Sequence, residues 1–202
     1  MTEKRTVIGR VTRCSIRGFV GGIRLRQPDL PVFGGWCQAP AQGGETAVVG
    51  LIYDISIEDD ELARQLAAAD APSPEQQADS QLNRPIPIEL QALTVGYRRA
   101  GTWVQALPPQ PPITLAEITG LEPAEVRAFT QRLDFLPLAL STAEVPADQV
   151  VAAALRQAAE ARPRDERRPF LLQAGQECAR WLGQDLGRLE RLLRDLQAGG
   201  EA

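Results

Sequence analysis

Residues 46–57 read TAVVGLIYDISI, a run of β-branched and aliphatic side chains interrupted by a single glycine. Such a stretch, bounded by turn residues, is a buried strand. It sits among other short apolar runs. TVIGRVTRC carries Val7 and Val11 with a glycine between them. FVGGIRL sets Phe19, Ile23 and Leu25 on one parity around a glycine pair, read as a turn or bulge. PVFGGWCQAP is aromatic and proline-bounded, and IPIELQALTVGY and TWVQALPP are joined by RRAG. Gly101 in that joint supplies the backbone freedom of a hairpin. Six or so short strands with glycine kinks fit a small closed barrel better than an open sheet, because closure removes exposed edges.

Directly after the strongest strand come Glu58, Asp59, Asp60 and Glu61. As a catalytic cluster they would need a defined separation and one raised pKa. Four consecutive acids point around a helix in different directions, and they suit the positive end of its dipole. They read as the solvated start of a helix, followed by the polar, proline-containing loop 70–85.

At PPQPPITLAE the composition changes from strand-like to helical. Thr114 and Glu117 have capping-box spacing, which predicts a helix start there. EPAEVRAFTQRLDFL predicts a second helix with Pro123 in its first turn, and PADQVVAAALRQAAEA a third. ARPRDERRP reads as a charged break before one long last helix. The expected fold class is α+β: an N-terminal small closed β-barrel over residues 1–113, then a C-terminal all-α helical domain over 114–202. The proline run between them reads as a semi-rigid linker.

In the last helix Leu182, Leu186, Leu189, Leu193 and Leu196 alternate steps of four and three. This is a short heptad seam. It packs inside the chain's own bundle or docks on a partner, and its five leucines are the candidate partner-binding residues. Gly183 and Gly187 form a small-xxx-small pair that permits close backbone approach.

Absent residue types limit the chemistry. The chain has no histidine, so it cannot build serine–histidine or cysteine–histidine pairs or histidine metal sites. Lys4 is the only lysine and GxxxxGK[ST] is missing, which excludes a self-contained P-loop ATPase. Cys14, Cys37 and Cys178 are few and widely spaced, and they read as inert thiols without a disulfide framework or a metal. Arg13 and Arg17 flank Cys14 in sequence, the one setting in which a nucleophilic thiol is conceivable. Charge is uneven: residues 1–26 carry seven basic groups and one acid, whereas residues 27–80 carry one and ten. With no apolar leader and no 18-residue apolar stretch, a cytoplasmic location without a membrane span is expected.

VIGRV, GGWCQAP and AVVGLIYDISI, followed by IPIELQALTVGY and LPPQPP, resemble the HAS-barrel. That is the small N-terminal β-barrel named for HerA-type DNA translocases and ATP synthases. The resemblance covers about residues 5–113 and rests on glycine and apolar spacing. It implies a role in ring assembly and partner docking. The motor domain that carries nucleotide chemistry in that family has no counterpart here.

The expectation is therefore a non-enzymatic protein-interaction or assembly adaptor without cofactor or metal. Its partner would be an ATPase or another HAS-barrel protein, with self-association as a further possibility. A competing reading is nucleic-acid binding through a helix-turn-helix-like segment at 114–133, with Arg127 and Arg132 facing the backbone or base edges. Glu117, Glu122 and Glu125 in the same segment argue against it.

Overall fold

The computed structural model describes residues 5–25, 31–41, 43–57, 86–143 and 145–198. The acids Glu58–Glu61 and the loop 70–85 lie outside the described residues, as does Lys4.

Seven strands are described: β1 (Val7–Cys14), β2 (Gly18–Leu25), β3 (Trp36–Pro40), β4 (Thr46–Ile57), β5 (Ile86–Arg99), β6 (Thr102–Val104) and β7 (Glu117–Gly120). They pair in the order β2-β1-β7-β3-β4-β5-β6, and β2 also pairs with β5. That extra pairing closes six strands, all antiparallel, into a barrel. β6 continues β5 as a hairpin arm through Ala100 and Gly101, whose positive φ angles of 46° and 80° mark a mirror-type turn.

Two sequence expectations are corrected here. Glu117–Gly120 is a strand, not part of a helix. It pairs with β1 (Gly9 opposite Ile118) and with β3 (Gln38 opposite Thr119), and so fills the gap between two otherwise unpaired edges. The barrel thus takes its last strand from beyond residue 113. Gly21 and Gly22 are not a turn: they sit inside β2, paired with β1 on one side and β5 on the other, and the register of β1 shifts opposite them, between Val11 and Arg13, as at a bulge.

Alternate residues of the strands fill the barrel. Val11, Phe19, Cys37, Ala39, Val48, Ile52, Leu90, Ala92 and Ile118 form one buried cluster. Their neighbours on β3, β4 and β5, namely Trp36, Val49, Leu51, Leu93 and Val95, point outward and are buried as well. What covers them is the helical unit.

That unit comprises α1 (Pro123–Phe129), α2 (Leu136–Leu140), α3 (Ala147–Glu160), α4 (Arg164–Leu182) and α5 (Leu186–Gln197). α1 opens with Pro123, as expected, and Glu125 accepts a hydrogen bond from the Glu122 backbone N–H at 3.2 Å. α3 is alanine-rich and buried along most of its length, from Ala147 to Ala159. It is the central helix, with the others packed around it. The charged stretch RDERRP is not a break. It forms the start of α4, whose Asp165 and Glu166 lie in the first turn.

The barrel wall and the helices share one core. Trp36 reaches out of β3 to donate its indole N–H to the Ala154 carbonyl of α3 at 3.0 Å. Its ring meets Phe129 and Phe135 edge-on or tilted, with centroids 5.4 and 5.5 Å away. The loop before β3 presses on α3 as well. Gly34 has φ of 75°, and a Cβ there would stand 2.4 Å from that of Ala153, so this position requires glycine. Trp36→Ala should lower the unfolding free energy by about 3–5 kcal/mol. Because the core is shared, circular dichroism and tryptophan fluorescence should trace one coincident urea transition in the wild type. Two separate transitions would show that barrel and helices unfold independently.

Candidate functional site

The five candidate leucines do not form one stripe, because the long helix is broken. α4 ends at Leu182, and Asp185 starts α5 by accepting from the Arg188 backbone N–H at 3.0 Å. Gly183 weakens the helix and Asp185 caps the next one, a stop-and-start signal that the leucine spacing obscured. Leu182 and Leu196 are buried, whereas Leu186 is 70% exposed. Leu189 packs against the shared core, and Leu193 lies over Gly175 of α4. The residue the heptad missed is Leu192, fully buried.

The corner between α4 and α5 is held firmly. Arg188 grips Asp148 of α3 with two hydrogen bonds, Nε to Oδ2 at 2.9 Å and a terminal nitrogen to Oδ1 at 2.5 Å. The same guanidinium donates to the Leu140 carbonyl at 3.2 Å. The Asp148 carboxylate raises the Arg188 pKa further through that hydrogen bond. Beside this clamp Trp181 and Leu186 present large apolar side chains to solvent, 56% and 70% exposed.

The second expected site is gone as a motif. With β7 in place of its first helix, residues 114–133 contain no helix-turn-helix. Arg127 spends its guanidinium on the Ala161 carbonyl at 2.6 Å, and exposed Arg132 pairs with Asp134.

Two of the three thiols are buried. Cys37 fills the barrel interior and Cys178 the helical core. Burial pushes both pKa values up, that of Cys178 to about 12 with help from the charges of Asp148 and Glu177. Cys14 is half-buried and donates its S–H to the Pro112 carbonyl at 3.1 Å. Among the described residues, no three His, Cys, Asp or Glu side chains stand together as a metal site would require. Among them too, no helix is long and apolar enough to cross a membrane.

Sequence reasoning did not find the cleft that forms where β5 changes partner. Residues 86–93 of β5 pair with β2, and residues 97–99 pair with β6. Between them the Thr94 N–H donates to the carbonyl of Arg17, at the tip of the β1–β2 hairpin, at 2.9 Å. A cleft of about 760 Å³ opens beside this point, between the barrel and the end of α2. Arg13 and Arg17 stand on its barrel side, and Leu138, Ser141 and Thr142 on its helical side. Tyr53 also lines it and donates its hydroxyl to Gln91 Oε1 at 2.8 Å.

Compared with family models and with curated proteins, the chain finds no match.

Burial of the thiols has a pH signature. The unfolded chain releases thiol protons near the ordinary value of 9, and the folded chain holds them on Cys178 to about 12. This contribution to stability is full below pH 9 and is lost as pH rises across that window, at about 1.4 kcal/mol per pH unit per thiol. Urea midpoints measured across alkaline pH should therefore fall less steeply in Cys178→Ala than in the wild type. Equal slopes would mean that the thiol ionises in the folded state.

Proposed function

We propose that the protein is a non-enzymatic assembly adaptor, which docks on an ATPase carrying a barrel of the same kind. The reading rests on the α4–α5 corner. Trp181 and Leu186 are large, apolar and exposed, on a backbone fixed by the Asp185 cap and the Arg188–Asp148 clamp. Solvent-facing tryptophan on a rigid element is a common anchor at protein interfaces, since little side-chain freedom is lost when it is covered. The nature of the partner comes from the HAS-barrel resemblance of residues 5–113, with which a closed six-stranded antiparallel barrel is compatible. In that family the barrel assembles and docks while a separate motor works on nucleotide. The absence of histidine and of a P-loop lysine from the chain accords with a part that positions a motor rather than one that runs it.

The test is affinity capture from source extract with the full chain and with a Trp181→Ala, Leu186→Asp variant. Both positions are exposed, so the variant should keep the wild-type circular dichroism and melting temperature. Enrichment of a barrel-bearing ATPase by the wild type, reduced about tenfold or more by the variant, is the expected result. Equal recovery by both would remove the corner as the docking surface. Recovery of nucleic acid alone, lost on nuclease treatment, would overturn the adaptor reading.

A further inference from the structure

We propose that the cleft beside Thr94 binds a small organic phosphate ester. This inference is independent of the adaptor reading, because neither Trp181 nor Leu186 lines the cleft.

Charge is the first observation. Arg13 and Arg17 both line the cleft, and among the described residues no aspartate or glutamate does. Among the described residues neither guanidinium makes an ion pair or a hydrogen bond, whereas several arginines of the helical unit donate to backbone carbonyls. Two guanidiniums on one short hairpin suit a compact dianion, and their planar forks match phosphate oxygens.

The second observation is a buried polar atom without a partner. Thr94 is fully buried, and its Oγ1 has no hydrogen-bond partner among the described residues. An unsatisfied hydroxyl destabilises a fold, and a valine in its place would not carry that penalty. It lies under the Arg17 carbonyl, at the base of the arginine-bearing hairpin. Thr94 is one of the residues lining the cleft, and its hydroxyl has no described partner.

The far end of the cleft differs chemically. Ser141 Oγ and Thr142 Oγ1 both donate to the Leu138 carbonyl at 3.2 Å, so what they offer a ligand is lone pairs. Leu107 and Leu138 supply apolar surface. The ligand that fits carries its phosphate at the hairpin end, a short apolar or aromatic body, and a hydrogen-bond donor toward α2. The volume of about 760 Å³ lies within the range of small-molecule pockets.

The experiment is calorimetric titration of the full chain with phenyl phosphate, with benzoate and inorganic phosphate as separate arms. Phenyl phosphate is expected to bind at least about tenfold more tightly than either. The Arg13→Ala, Arg17→Ala variant should weaken it by about tenfold or more without moving the melting temperature, since both side chains are exposed. Thr94→Val should do two things at once: raise the melting temperature and weaken phenyl phosphate severalfold. A merely structural threonine would move only the first. The proposal is overturned by any of three results: no heat of binding for phenyl phosphate at millimolar concentration, binding indifferent to either variant, or benzoate bound as tightly as the phosphate.

Discussion

Part of the barrel wall is dry on both faces, and the rest of the architecture depends on that. In a small barrel the inward residues make the core and the outward ones face water, which gives strands an alternating pattern. Here β3, β4 and β5 bury both parities. Val48 and Ile52 point in with Phe19 and Leu90, while Val49 and Leu51 point out with Trp36, Leu93 and Val95. The outward set is large enough to need a cover, and α1, α2 and α3 provide it. Trp36 is the joint, with its ring among phenylalanines and its indole N–H on the backbone of α3. The helical unit is therefore not an appendage on a proline linker; its core is continuous with the barrel's outer surface.

Closure brings a second consequence. β5 is longer than any one neighbour on its free side, so it is shared between β2 and β6. A strand that changes partner leaves a short stretch where neither ladder runs. At Thr94 the backbone finds the hairpin tip, but the hydroxyl finds no hydrogen-bond partner among the described residues. The cleft and its orphan hydroxyl are thus products of the same topology that closes the sheet.

Much of this was legible in the sequence, and the failures have physical causes. β4 and β5 declared themselves through continuous apolar runs. Those same runs, unbroken where a one-sided strand would alternate, held the evidence for the packed outer wall. α1 and α3 followed from Pro123 and from the valine–alanine spacing. β7 was misread because TLAE has real capping-box spacing, and local propensity there loses to the unpaired edges of β1 and β3, which EITG fills. The leucine seam misled because its spacing runs through Gly183–Asp185 without interruption, although the glycine and the aspartate end one helix and begin another. The cleft was illegible for a different reason. It joins a hairpin at 13–17, a strand residue at 94 and a helix end at 141, and only the pairing of β2 with β5 brings the first two together. One trace existed: a threonine in the middle of ALTVGY, polar where its neighbours are not.

The arginine bias of the chain also acquires a physical meaning. Helix ends leave carbonyls without partners, and in the helical unit guanidiniums meet them repeatedly. Arg162 donates to Ala158 near the end of α3 and to Thr130 just past α1, while its face stacks on Phe170 at 3.6 Å. Burial lowers its pKa from the ordinary arginine range, yet the group remains a cation at any ordinary pH. Arg127 takes Ala161, Arg167 takes Glu160 and Arg162, Arg188 takes Leu140 at the end of α2, and Arg156 takes Asp195 in α5. A lysine, with one compact charge and no fork, could bridge two helices in this way far less well. The positive ends of these side chains sit against the negative ends of the helix dipoles, so stitching and electrostatics act in the same direction. This use sets the hairpin arginines apart. Arg13 and Arg17 make no such bond to a carbonyl, and among the described residues the cleft they face is lined by no carboxylate. Two guanidiniums left open in one cleft, with a buried hydroxyl that has no described partner on its lining, are the combination that a bound anion would complete.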